Sequence, residues 1–180
     1  MEVVVIAHRK NLQITDLPNV TFGLAGAQDI PLDDETVDIV LMFKSLHHVP
    51  VKLMETSLRE IRRVLKPAGL AYTSEQFFFF FNEIIILFHN EQEVREAAFD
   101  ALKKSVNQGW FCLIEETFFN TKGFFKDFSE FENTVINATH SNHSLDKNLH
   151  EVVKKKFEKH LGDDGAHFLT PVRVDLLQKL

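Results

Sequence analysis

The sequence predicts an α/β fold in which a mostly parallel sheet is flanked by helices, and three observations carry that expectation. Val37 to Phe43 (VDIVLMF) reads as a strand buried on both faces. From Lys52 to Lys66, apolar Met54, Leu58, Ile61 and Leu65 recur at helical spacing, while Glu55, Arg59, Arg62 and Arg63 occupy the other faces. Pro67 and Gly69 stop that helix before the apolar strand Leu70 to Ser74, and strand, helix, strand is the crossover unit of a parallel sheet.

The remaining elements follow in chain order. Glu2 to Ile6 is a β-branched run suited to a buried strand, Asn11 to Leu17 is short and helical or irregular, and Val20 to Leu24 reads as a second strand. Gly26 to Asp34 combines Gly, Pro and acids, which is loop composition. Beyond the crossover, Glu91 to Asn107 is expected to be helical with Gly109 as its terminator, and Trp110 to Thr117 to be a strand. Ser129 with Glu132 suggests a capping box for a helix through Ala138. Leu145 to Leu161 carries Leu149, Val153, Phe157 and Leu161 at helical spacing, with Ser144 as candidate N-cap and Gly162 past its end. Phe168 to Leu176, interrupted by Pro171, reads as a last strand.

Composition bounds the function. A chain of 180 residues with 44% hydrophobic content can bury one ordinary core, so residues 1–180 are taken as a single domain. A formal charge of −6 offers no basic field for a nucleic-acid backbone. Cys112 is the sole cysteine, so no intramolecular disulfide forms, and its place in a strand suggests a buried small hydrophobe. No secretory leader follows Met1, and the most apolar stretch, Phe77 to Phe88, falls short of the ~20 residues that span a bilayer. The expectation is a cytoplasmic protein without a membrane span.

Some residues invite sharper readings. Phenylalanine is over-used, at 18 residues, which points to an apolar pocket or an extra packing surface. The run Phe77 to Phe81 suggests core packing, an apolar acceptor pocket or a membrane-interface lid. His140, His143 and His150 lie without a cysteine in or near a polar loop, and no metal site is expected. Lys154, Lys155 and Lys156 read as a solvated helix face.

The stretch Asn19 to Gln76 has a recognisable order. A strand is followed by the loop Ala27-Gln28-Asp29-Ile30-Pro31, the strand VDIVLMF, the turn Ser45-Leu46-His47-His48-Val49, a helix, Arg63-Val64-Leu65-Lys66-Pro67-Ala68-Gly69 and a strand. This order resembles the type 11 branch of the Rossmann-like S-adenosylmethionine-dependent methyltransferases. The resemblance implies S-adenosylmethionine as cofactor and a small-molecule methyl acceptor.

In open parallel sheets ligands sit beyond the carboxyl ends of the strands, here Gly26 to Asp29, Phe43 to His48, and Ser74 to Gln76. By resemblance, Gly26, Ala27, Gln28 and Asp29 lie along the adenine, with Gln28 or Asp29 taking the part of the acid that the family often has where this chain has Gly26. Phe43 and Lys44 pass beneath the methionine part, and Glu2 is the only carboxylate near the ribose position, which it approaches in one of the two registers open to that strand. His47 and His48 line the acceptor side, where one imidazole can orient or deprotonate the acceptor. Residues 1–76 thus form the cofactor-side sheet, and residues 77–180 the helical, substrate-side elements and a closing strand.

Compared with the family, the chain lacks the first strand and its glycine-rich turn. Cofactor binding by this chain alone is therefore expected to be weak, because each lost hydrogen bond to a charged partner costs about 1.5–3 kcal/mol. The open sheet edge is expected to favour a homo-oligomer or a complementing chain. An alternative role is that of a non-catalytic remnant acting as a regulatory partner, and a third possibility is that upstream sequence supplies the missing turn.

Overall fold

The computed structural model describes residues 17–76, 82–138 and 145–180. The expected strand at Glu2 to Ile6, the Phe77 to Phe81 run, His140, His143 and the candidate cap Ser144 lie outside the described residues. Four strands form the sheet: β1 (Val37–Phe43), β2 (Leu65–Gln76), β3 (Phe111–Phe125) and β4 (Ala166–Lys179), in the spatial order β1-β2-β4-β3. Helix α1 (Val51–Val64) joins β1 to β2, short α2 (Asn82–Ile85) and long α3 (Gln92–Asn107) lead to β3, and α4 (Phe128–Phe131), a π turn (Glu132–Ile136) and α5 (Lys147–Glu158) lead to β4.

The α/β class with flanking helices stands, but the described sheet is mixed. β1 and β2 are parallel, with Phe43 opposite Ser74, whereas β4 is antiparallel to both β2 and β3. The connection from β3 to β4 leaves and re-enters at one end of the sheet, where Phe125 pairs with Ala166, so those two strands must run oppositely.

Helix α1 forms where its pattern predicts, burying Met54, Leu58, Ile61 and Val64. Together with α3, whose Ala98 and Leu102 are buried, it covers one face of the sheet and builds a core with Met42, Leu46, Leu65, Ala71, Phe111 and Leu177. Fully removing such side chains from water stabilises the fold by about 1.5–3 kcal/mol each. β2 begins at Leu65, earlier than expected, because Lys66 to Gly69 bulge from the ladder between the pairs Val37–Leu65 and Ile39–Leu70. Ala68 takes a left-handed φ of 59° within that bulge.

A second core is aromatic. Phe125, Phe128, Phe131, Phe157 and Phe168 pack with Ile84, Ile136, Val153 and Ala166, and the Phe131 and Phe157 rings lie 4.9 Å apart. Much of the phenylalanine excess thus serves packing. β3 and β4 reach both cores: Phe111 and Leu177 belong to the first, Phe125 and Ala166 to the second.

Four expectations are corrected. Val20 to Leu24 is not a strand, since no ladder pairs it among the described residues and an extended segment without a partner leaves its backbone groups to water. Cys112 is exposed rather than buried, because it stands on β3, the outermost strand, whose sides remain largely open. The cap before α4 is Asp127, which accepts from the Glu130 N–H, while Glu130 accepts from the Lys126 N–H; Ser129 and Glu132 play no such part. The cap of α5 is Asp146, accepting from the Leu149 N–H at 2.8 Å.

Candidate functional site

The parallel pair β1 and β2 presents two carboxyl ends at one rim, and the chain leaves β1 sharply there. Lys44 adopts a left-handed φ of 48° and its N–H donates to the Ser74 carbonyl at 2.8 Å, which ties the exit of β1 to β2. Leu46–His48 then forms one 3-10 turn before Pro50 opens α1.

Glu75 of β2 organises that turn. Its side chain is almost completely buried, and its Oε1 accepts from the N–H of Leu46 at 2.9 Å and of His47 at 3.3 Å. Its Oε2 accepts from His47 Nδ1. The His47 ring, in a residue only 5% exposed, is therefore fixed with Nε2 directed toward Glu91 Oε2, 3.8 Å away. Arg95 of α3 pairs with Glu91 and lies 3.9 Å from Glu75 Oε2, and His89 Nε2 contacts the other Glu91 oxygen at 2.9 Å. Within this cluster the Glu91 carboxyl is held below its ordinary range: burial opposes that shift, while Arg95, His89 and His47 together outweigh it.

His48 follows on the exposed side, its ring centroid 4.1 Å from that of His47. Burial of part of the ring, together with the adjacent His47, lowers its pKa. Both histidines expected at the acceptor side thus stand at the rim, one locked and one accessible.

The loop before β1 is brought to the same core. Gly26 and Asp29 form an isolated antiparallel bridge, and Ala27 and Ile30 pack against the cluster that also holds Val40 and Val49. The Gln28 amide folds over Gly26, so that a Cβ at position 26 would lie 2.3 Å from its Nε2. Asp29 is exposed. The Ile30 N–H donates to Glu60 Oε2, and Arg63 donates to the carbonyls of Ile30 and Leu32 and to Asp34. Arg63 and Ile30 together depress the Glu60 carboxyl to about 2. An open depression of about 430 Å³, lined by Ile30, Pro31, Leu32, Asp33 and Thr36, lies beside this loop and apart from the histidines.

Phe43 is 62% exposed at the end of β1, its ring tilted against Tyr72, and Leu41 and Ile39 continue the same exposed face at 51% and 46%. Of the residues named for cofactor contact, Gly26, Ala27, Gln28 and Asp29 lie in the turn before β1, Phe43 and Lys44 lie at the end of β1, and Glu2 lies outside the described residues. Glu75, Glu91 and Arg95 were not anticipated from the sequence; a lone carboxylate within the strand AYTSEQ was the one visible signal.

The fold is shared with solved structures. The chain aligns over 99% of its length with a candidate methyltransferase (BH2331) of Bacillus halodurans, at 16% identity, a TM-score of 0.60 and 79% coverage of that chain. It aligns equally with the YcgJ protein of Bacillus subtilis, at 17% identity, a TM-score of 0.63 and 78% coverage. These likenesses establish a Rossmann-like α/β fold.

Residues 2–73, which carry the loop, β1, the histidine turn, α1 and most of β2, match a family model described as a methyltransferase domain. A curated relative, an uncharacterised protein of Haemophilus influenzae, is 30% identical over 95 residues, 53% of this chain but only 36% of the relative's length. Among the described residues no helix is long and apolar enough to cross a membrane.

Proposed function

We propose that this chain is a methyltransferase domain that uses S-adenosylmethionine and acts on a small molecule at the rim formed by β1 and β2. One observation carries the reading: the family match covers the turn in which Glu75 fixes His47 beside an accessible His48, next to the exposed Phe43. When bound, the cofactor supplies an electrophilic methyl group. Phe43 and Lys44 would flank its methionine part, and the Gly26 to Asp29 turn its adenine, with the Gln28 amide in place of the family's acid. Glu2 is assigned to the ribose by resemblance alone.

His47 and His48 would face the acceptor, His48 being the ring that solvent reaches. With its pKa lowered, His48 is neutral near pH 7 and able to accept a proton. Positioning supplies much of the rate of such a displacement, so no covalent nucleophile is required. The chain is assigned to the cytoplasm, without a nucleic-acid partner.

Calorimetric titration with S-adenosylhomocysteine tests the cofactor assignment. Binding that is weakened by Phe43→Ala without a change in Tm supports it, and no heat at millimolar ligand defeats it.

A second reading, a non-catalytic partner that pairs with another chain, draws on the exposed Ile39, Leu41 and Phe43 of β1, a strand with one ladder partner among the described residues. Light scattering separates the two, since a monomer that binds cofactor removes the second.

A further inference from the structure

His47, His48 and Glu91 offer three metal-ligating atoms within 4.8 Å of one another, although residues 48 and 91 are far apart in the chain. We propose that these three residues form a binding site for a divalent transition metal of the zinc type, with at least one coordination position open to solvent.

The local chemistry carries the inference. Ligands on a tetrahedral zinc lie ~2.0–2.1 Å from the ion, hence about 3.4 Å from each other, and His47 Nε2 stands 3.8 Å from Glu91 Oε2. Small rotations of the exposed His48 ring complete the set. The outer arrangement is the one that metal-bound imidazoles need: the carboxylate of Glu75 accepts a hydrogen bond from Nδ1–H of His47, which leaves Nε2 with its lone pair directed into the cluster. Glu75 is in turn held by the backbone N–H groups of Leu46 and His47, so the buried ligand is preorganised.

The charge balance agrees. Glu75 and Glu91 carry two negative charges against the single guanidinium of Arg95, and Arg173, opposite Glu75 in the β2–β4 ladder, is occupied by Asp175 and Glu116. The cluster therefore retains one negative charge with neutral imidazoles, which favours a cation. His89, already on Glu91, orients that carboxylate. The site stands on this geometry and does not depend on methyl transfer.

The test uses the full chain, freed of metal by chelation and titrated with Co²⁺. Expected is one equivalent bound, with the visible absorption of a low-coordinate cobalt ion, displaced by one equivalent of Zn²⁺. His48→Ala and Glu91→Gln should each weaken binding by more than about 100-fold, beyond the about 10–100-fold that loss of an outer partner such as Glu75 costs. His150→Ala, which removes a histidine paired to Glu132 elsewhere, should leave binding unchanged. His48 is exposed, so its variant carries the test even where Glu91→Gln folds poorly. No cobalt spectrum at equimolar metal, or equal affinity in His48→Ala, overturns the proposal.

Discussion

Glu75 and His47 form a buried carboxylate–imidazole pair that joins β2 to the turn after β1, and the same carboxylate accepts two backbone N–H groups of that turn. Glu75→Gln keeps the shape but sets an amide against His47 Nδ1. It should destabilise the fold by about 1.5–3 kcal/mol, a fall in Tm of about 3–12 °C for a chain of this size, as read by calorimetry. An unchanged Tm would mean that the pair is not formed.

Arg63 and Glu60 fasten the loop before β1 to α1, and their pairing gives stability a pH dependence. Glu60 is depressed from its ordinary 4.5 to about 2, so its contribution is fully present above pH 4.5 and is lost as pH falls toward 2. The urea midpoint of the wild type should exceed that of Glu60→Gln at pH 7, and the difference should shrink steadily below pH 4.5. A constant difference down to pH 2 would count against the ion pair.

Arg63→Lys tests the fork geometry itself. A lysine supplies charge but cannot reach Ile30, Leu32, Asp34 and Glu60 together as the guanidinium does. Amide exchange in residues 30–34 should quicken, with helix α1 little affected.

The aromatic core offers the largest stability effect. Phe157 is fully buried against Phe125, Phe128, Phe131 and Phe168. Phe157→Ala should cost about 3–5 kcal/mol, a large share of the about 5–15 kcal/mol that holds a domain together; chemical denaturation measures it directly.

Gly165 begins the return to the sheet with φ of +135°, and a Cβ there would stand 2.7 Å from the Phe125 carbonyl oxygen. Gly165→Ala combines backbone strain of about 1–3 kcal/mol with that clash. Its Tm should therefore fall below the wild type's by several degrees, whereas Gly123→Ala, whose Cβ meets Phe168 at an ordinary 3.7 Å, should change it little.

The crossover β1–α1–β2 was legible because period, apolar run and Pro-Gly stop agree over one contiguous stretch. The site was legible only in part. His47 and His48 are adjacent in sequence, but what fixes them is Glu75, 28 positions away from His47, and Glu91 on the far side of a phenylalanine run. Such pairings depend on register and helix packing, which spacing does not encode. The cap of α4 was misplaced by two residues because Ser129 and Glu132 repeat the S-x-x-E pattern that Asp127 and Glu130 satisfy in space. Among the described residues the ladder of β4 with β2 runs to Val172, so Pro171 falls just past the doubly paired stretch and β4 runs through it.

The ribbon of β3 and β4 links the two cores. Over some 14 residues, about 45 Å at ~3.4 Å each, it spans from the core that holds Leu177 to the aromatic core that holds Ala166. Its mid-section, where Phe118 faces Arg173 and Phe119 faces Val172, lies largely open to water on the β3 side. Among the described residues β4 is paired with β3 alone from Ala166 to Pro171 and on both sides from Val172 to Gln178, so fraying that starts at Ala166 should meet the doubly paired stretch before it reaches the partner of Glu75.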